Sequence, residues 1–171
     1  MEAHVEKVRK VFKKNGFNDK DIYRLASVLS RLETEVGSSK CWNVGDVQVL
    51  DKAFTTSHAY HPCYKGKNVN PLVLAIYNIF PDEENGEVML IRKSICKNYH
   101  CMNPRHLFYG DHIDLKIEKW KRKGVNIDKN KYTKVLWMYK NNSKSMSYRK
   151  IAEEFDLNYN VVRSICNYER N

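Results

Sequence analysis

Residues 96–110 read Cys-Lys-Asn-Tyr-His-Cys-Met-Asn-Pro-Arg-His-Leu-Phe-Tyr-Gly. The spacing Cys96-x4-Cys101-x4-His106 brings two thiols and one imidazole into a short segment. These are the donors Zn²⁺ prefers in closed, tetrahedral structural sites. The stretch has little periodicity and contains Pro104 and Gly110, so it reads as a loop. With few apolar side chains to bury, such a loop draws much of its folding free energy from a bound metal. A fourth ligand must come from elsewhere. Cys41 is the first choice, with Cys63 or His61 as the second. The competing reading makes Cys96 and Cys101 buried thiols and His106 a surface residue. Cys166 lies in a helical pattern and reads as core.

The whole chain frames that loop. It has 171 residues, five cysteines, 42% apolar and 29% charged side chains. This is the balance of a folded protein rather than a disordered tail. Mean hydropathy is −0.66, and no apolar run approaches the ~18 residues of a membrane span. The start, Met-Glu-Ala-His-Val-Glu-Lys, lacks the apolar stretch of a secretory signal. An intracellular protein of the cytoplasm, nucleoid or nucleus is therefore expected, and in a reducing compartment an odd cysteine count favours metal ligation over disulfides. Net charge is +10, which points to a polyanion, nucleic acid before membrane. Lys116 to Lys150 holds twelve Lys/Arg against two acids, and so carries the whole excess. Trp120, Tyr132, Trp137, Tyr139 and Tyr148 interleave with those cations. A phosphate-tracking surface and a merely solvated basic face, with several of the aromatics in the core, are the two readings.

Hydrophobic spacing predicts the elements. Val5, Val8, Val11 and Phe12 mark a helix over residues 2–14, stopped by Asn15-Gly16. Asn18 or Asp19 caps a second helix through Ile22, Leu25, Val28, Leu29 and Leu32. This pair either packs on the rest of the chain or serves as an accessory or dimerising element. Val47, Val49 and Leu50 suggest a short strand, and Thr55, Thr56 and Tyr60 another. Residues 69–80 form an apolar block, read as a buried helix from Pro71. Val88 to Ile91 reads as a strand. A helix is expected from Asp111 to Lys123, then a linker over 125–130 and three helices near 131–141, 147–155 and 159–167.

The segment Cys96 to Asp114 resembles the zinc-loop signature of His-Me finger homing endonucleases (ββα-metal, HNH or His-Cys box type). The family pattern Cys-x4-Cys-x-Asn-Pro-x-His-Leu-Phe-x-Gly is met from Cys96 to Gly110. The upstream Cys-Trp pair is met by Cys41-Trp42, and the basic-Gly tail by Lys121-Arg122-Lys123-Gly124. The likeness covers residues 41–124. It implies a ββα fold pinned by structural zinc at Cys41, Cys96, Cys101 and His106. Two family positions depart from the pattern. The general base, a His two residues before the first loop Cys, is Ser94 here. The Asn that holds the catalytic divalent metal, usually in an Asp-Asn pair, is Leu115, after Asp114. A serine hydroxyl cannot take up a proton near neutrality as imidazole does. Leucine offers no oxygen to Mg²⁺. His100 lies inside the loop, and His112 with Asp114 could form a rearranged site, or be surface and capping residues.

Residues 147–167 resemble a helix-turn-helix of the kind appended to homing endonucleases. Ser147 is an N-cap without a capping box. Ile151, Ala152 and Phe155 face Val162 and Ile165, and Leu157 fills the turn. Asp156 stands where a left-handed residue is needed, and Asn158 caps the second helix. Tyr132 to Asn142 would support the pair. In that geometry Tyr159, Asn160 and Arg163 meet base edges. Lys116, Lys119, Lys121, Arg122, Lys123, Lys144, Arg149 and Lys150 supply cations for phosphates. The plainer reading is an ordinary helical hairpin.

The expectation is thus an α+β protein with a helical element (1–38), a zinc-bound His-Me finger-like domain (39–124) and a helix-turn-helix module (125–171). The leading function is sequence-specific binding of double-stranded DNA by a homing-endonuclease derivative without catalytic residues, acting as a repressor, a site-occluding protein or part of an assembly, alone or as a homodimer. One alternative is an active nuclease using Mg²⁺ at an atypical site. The other is an RNA-binding subunit of a ribonucleoprotein.

Overall fold

The apolar periodicity of the first 35 residues becomes two helices in a computed structural model of the chain, α1 (Glu2–Lys14) and α2 (Asp19–Glu35). The structure describes residues 2–48, 51–56, 62–82, 88–142 and 146–168. Gly16 turns the chain between the helices at φ 78°, a conformation that costs a glycine little. Asn18 then forms a reciprocal cap. Its side chain accepts from the Asp21 N–H at 3.3 Å, and Asp21 accepts from the Asn18 N–H at 3.2 Å. Both helices bury one stripe, and Phe12, Leu25, Leu29 and Leu32 are almost wholly enclosed.

That stripe is not a separate element. It shares one core with Trp42, Phe54, Tyr64, Leu72, Val73 and Met102. The pair therefore packs on the rest of its unit, with α4 (Asn70–Ile76) against both helices. The apolar block predicted as a helix over 69–80 is shorter than expected. Asn78 takes a left-handed φ of 60°, the Ile79 N–H donates back to the Leu74 carbonyl at 2.8 Å, and the helix closes there.

Between α2 and α4 the expected strand at Val47 is instead a short helix, α3 (Val44–Gln48); Val49 and Leu50 fall outside the described residues. Val44 and Val47 lie one helical turn apart and both are buried, so a 3.6 period fits them better than alternation. The strand expected at Thr55-Thr56 is present as β1 (Phe54–Thr56), and Tyr60 lies outside the described residues. β1 pairs antiparallel with β2 (Pro62–Tyr64), which pairs with β3 (Lys67–Asn68). Lys65 and Gly66 make the β2–β3 turn with φ of 47° and 78°, the pattern of a two-residue hairpin turn. Such a turn is hard to read from sequence when lysine takes the place of Asn or Asp at its first position.

The left-handed Lys65 is held by an ion pair to the buried Asp21 at 2.5 Å, and Tyr64 Oη donates to the same carboxylate at 3.2 Å. Nearby, Arg24 grips the buried Asp51 through two hydrogen bonds of 2.5 and 2.6 Å. Asp51 also accepts from the Ala53 N–H at 2.9 Å. These contacts tie α2 to the sheet.

β4 (Met89–Arg92) matches the expected strand at 88–91. It pairs antiparallel with β5 (Leu107–Gly110), from Met89 opposite Gly110 to Arg92 opposite Leu107. β5 corrects the reading of residues 96–110 as loop throughout. Leu-Phe-Tyr suits a half-buried strand, but only β4 gives it a partner.

By packing, residues 1–112 form one unit and residues 113–171 another; the sequence boundaries stand after residues 38 and 124. The second unit is helical, with α5 (His112–Lys121), α6 (Lys129–Asn142), α7 (Tyr148–Glu154) and α8 (Tyr159–Tyr168). Ile117 of α5 and Ile127 of the connector lie in one core with Tyr132, Val135, Ile151, Val162 and Ile165. Cys166 is buried there, as expected. The chain is thus a mixed α+β structure with two small sheets. No helix among the described residues is long and apolar enough to cross a membrane.

Burial works to raise the Asp21 and Asp51 carboxyls, but Lys65 and Arg24 respectively, with backbone N–H donors, hold both below the usual range. A depressed carboxyl stabilises the fold while ionised, and that stability is lost as pH falls through the folded value. Urea midpoints are expected to stay level above about pH 5 and to fall below about pH 4. Asp51→Asn should lower the neutral-pH stability by about 1–3 kcal/mol and flatten the acid limb relative to the parent protein in the same buffer.

Candidate metal centre

The ends of β4 and β5 set the spread of the ligand loop. The Lys93 N–H donates to the His106 carbonyl at 2.9 Å, extending the ladder by one bond. Pro104 to His106 form a single 3-10 turn that leads into β5 and delivers the imidazole. Cys96 closes a tight turn through its N–H to the Lys93 carbonyl at 3.0 Å. Asn98 caps the next turn, its side-chain oxygen accepting from the His100 N–H at 2.8 Å.

Cys41, Cys96, Cys101 and His106 present one ligand atom each, all within 4.8 Å of one another. Cys41 Sγ lies 3.6 Å from Cys96 Sγ and 3.8 Å from His106 Nδ1, and Cys101 Sγ is 3.4 Å from the same nitrogen. Tetrahedral zinc, with Zn–S of about 2.3 Å and Zn–N of about 2.0–2.1 Å, sets sulfurs about 3.8 Å apart and sulfur and nitrogen about 3.6 Å apart. The cluster therefore has the donor set and the spacing of a structural zinc site. Of the three candidates for the fourth ligand, Cys41 is the one brought in. Cys63 sits in β2 opposite Thr55 and Asn68, and is not in the cluster. His61 falls outside the described residues.

The three thiols cannot all ionise without a cation. Burial pushes the Cys101 thiol up to about 12 and raises Cys41 as well, reinforced by the hydrogen bond to Cys96. Burial also works against Cys96, yet a backbone hydrogen bond with Asn98 and contacts from Cys41 and Arg92 take it below the ordinary thiol value. Burial lowers His106, against a hydrogen bond to the Ser39 backbone. A neutral imidazole is the form that binds metal.

The surroundings fix the ligands in a way that ligand spacing alone does not reveal. Asn103 is fully buried. Its amide donates to the carbonyls of Ser38 at 2.8 Å and Lys40 at 2.6 Å, and its oxygen accepts from the Arg105 N–H at 2.9 Å. The Asn103 backbone N–H also points at Cys101 Sγ, 3.4 Å away. One side chain thus staples the segment before Cys41 to the loop. The Met102 N–H donates to the Trp42 carbonyl at 2.9 Å, and the Asn98 amide donates to the Asn43 side-chain oxygen. Arg92 donates to the carbonyls of Cys101 at 2.9 Å and Tyr99 at 2.7 Å, with its guanidinium 3.9 Å from Cys96 Sγ. Such outer partners orient ligands and offset thiolate charge. The Asn-Pro pair at 103–104 is visible in the sequence; Arg92 carries no signal there.

The positions that would bear hydrolytic chemistry are elsewhere. Ser94 is half-buried in the turn after β4, His100 is half-buried in the loop, and His112 is exposed at the start of α5. Leu115 is half-buried on α5. Asp114 is engaged by Lys129 at 3.1 Å.

Within the helical unit, the proposed nucleic-acid contacts sort by exposure. Tyr159, Asn160 and Arg163 are exposed on α8, and Arg149 and Lys150 on α7. Lys119, Lys121, Arg122 and Lys123 are exposed at the end of α5, with Lys121 3.3 Å from Glu118. Lys116 is half-buried, and Lys144 lies outside the described residues.

No family model matches the chain, and neither the curated proteins nor the solved structures include a match to it.

Purified protein is expected to carry close to one zinc per chain by elemental analysis. Asn103→Ala should weaken zinc affinity about 10- to 100-fold in competition with a chromophoric chelator. Cys101→Ser should abolish stoichiometric binding, while Cys63→Ser should leave it intact.

Proposed function

We propose that this chain binds double-stranded DNA sequence-specifically, as a derivative of a His-Me finger homing endonuclease that has lost hydrolysis and retains zinc as a structural ion. The observation that carries the reading is the two-sided character of α8. Val161, Val162, Ile165 and Cys166 are buried, while Tyr159, Asn160, Arg163 and Ser164 are exposed along the other side.

Several local features support a helix-turn-helix. Ser147 Oγ accepts from the Lys150 N–H at 3.4 Å as the N-cap of α7. Asp156 takes a left-handed φ of 47° in the turn, and the Leu157 N–H closes it onto the Ala152 carbonyl at 2.9 Å. Asn158 accepts from the Asn160 N–H at 2.8 Å and starts α8. The small Ala152 is buried where α7 meets α8. An α8 seated in a major groove offers Asn160 to adenine and Arg163 to guanine. Arg149 and Lys150 then reach phosphates.

Two further points favour the endonuclease kinship without its chemistry. In chain order, β4, the ligand loop, β5 and α5 follow one another as strand, metal loop, strand and helix. Ser94 and Leu115 supply neither a base nor a metal ligand, and the nearest substitute carboxylate, Asp114, is paired with Lys129. The biological role that fits is a repressor, a site-occluding protein or a part of a larger assembly.

Selection of bound sequences from random duplexes at ~150 mM salt is expected to return a defined motif, since lower salt inflates binding by any basic protein. Arg163→Ala should cost about 1–3 kcal/mol and relax one position of that motif, whereas Arg149→Ala should weaken all sequences alike. Supercoiled plasmid should stay intact with Mg²⁺ or Mn²⁺. Metal-dependent nicking lost on His112→Ala or Asp114→Ala would overturn the reading in favour of an active nuclease, and preference for structured RNA over duplex in favour of a ribonucleoprotein subunit.

A further inference from the structure

The aromatic residues that interleave with lysines on α6 divide sharply by exposure. Tyr132 is buried and Tyr139 half-buried, but Trp137 is 63% exposed. An indole is the largest apolar side chain, and left in water it forgoes more burial than any other. The helix does not need it for packing, because Tyr132, Val135 and Leu136 already supply the buried stripe.

Along its own helix Trp137 has no acidic neighbour. Residues 129–142 contain four lysines and no Asp or Glu. One turn before Trp137 stand Thr133 and Lys134, and one turn after it stand Lys140 and Asn141, all exposed. Lys134 and Lys140 are about 9 Å apart along the axis, with the indole between them. Asn141 is folded back onto the Trp137 carbonyl at 2.8 Å.

This face is distinct from the one that α8 presents. The Tyr139 ring lies 5.4 Å from Tyr148, and Tyr148 lies 6.2 Å from Tyr159 at the start of α8. Trp137 precedes Tyr139 by two residues, about 200° around the helix. It therefore points away from the tyrosine series that leads to α8.

An aromatic plane flanked by cations matches a ligand that alternates negative charge with flat π-surfaces. A nucleic-acid strand has that composition. In a stacked duplex the base faces are covered, so an indole on a helix surface meets them only where the strand is unpaired. We propose that the outer face of α6 binds single-stranded nucleic acid, with Trp137 stacking on a base and Lys134 and Lys140 against the flanking phosphates. This site goes beyond the duplex reading of α8 and does not rest on it.

The test uses the full chain and an oligo(dT) of about 15 nucleotides, within the footprint such surfaces occupy. Trp42 is buried and Trp120 half-buried, so quenching of the exposed indole reports stacking. The expected result is quenching on titration, with Trp137→Ala removing it and lowering affinity about tenfold or more. Trp137→Phe should retain part of the affinity. Because the side chain is exposed, circular dichroism should not change in either variant. Duplex binding should be unchanged in Trp137→Ala and weakened in Arg163→Ala, with oligo(dT) binding unchanged in the latter, so the two readings stand or fall separately. Equal oligo(dT) affinity for the parent and Trp137→Ala overturns the proposal. So does a duplex that quenches the indole as strongly as the single strand, or polyglutamate displacing the oligonucleotide with emission unchanged, which would mark a protein-docking face.

Discussion

Asn103 is the constraint on which the first unit depends. A buried amide must place each of its polar atoms, and Asn103 does so by joining the carbonyls of residues 38 and 40 to the N–H of residue 105. The strand-like bond between Met102 and Trp42 lies immediately beside it. Together they fix the one backbone path that carries Cys41 to the other three ligands. Trp42 buries its ring in the core of α1, α2 and α4, and its indole N–H donates to the Gly37 carbonyl at 3.0 Å. Ligand loop and helical core are therefore two sides of one junction. A change that loosens the Trp42 packing reaches the thiol cluster through a single residue.

The helical unit rests on different physics. It has no metal-ligand cluster among the described residues and relies on apolar packing around Val135, Ile151, Val162 and Ile165. Tyr148 adds a polar tie, with its hydroxyl 3.4 Å from that of Tyr139 and 3.2 Å from Asn167 Oδ1. Most of the described lysines of this unit are exposed on the outside of this core.

The sequence made the ligand set legible because chemistry restricts it. Few patterns other than a metal site place two Cys and a His at x4 spacing in a segment poor in apolar residues. Cys41 was the first choice for the fourth ligand and the resemblance agreed with it, but spacing left Cys63 and His61 open. Long periodic helices were equally legible, down to the Asn18 cap and the left-handed Asp156. Short elements were not. Val44–Gln48 holds too few residues for a period to declare itself, and the Lys65-Gly66 turn depends on an ion pair to Asp21, 44 positions away. Strand β5 was hidden because Leu107 to Gly110 acquires its identity only beside β4. Asn103 stood in the Asn-Pro pair of the pattern without its role being readable, and Arg92 gave no signal, because both act through backbone carbonyls.

The four ligands come from two segments of very different separation. Cys96, Cys101 and His106 are neighbours along the chain, whereas Cys41 meets Cys96 across 55 positions. Bringing those ends together removes chain entropy that a cross-link of that span recovers, about 4 kcal/mol by the loop-closure relation. A cation can thus be captured early by the three local donors, with little loop to close. Cys41 is held near them by Trp42, whose ring lies in the helical core and whose carbonyl accepts from the Met102 N–H. Of the four ligands, Cys41 is therefore the one whose tether spans the longest stretch of chain, and a cation held by the three local donors alone would leave that clasp open.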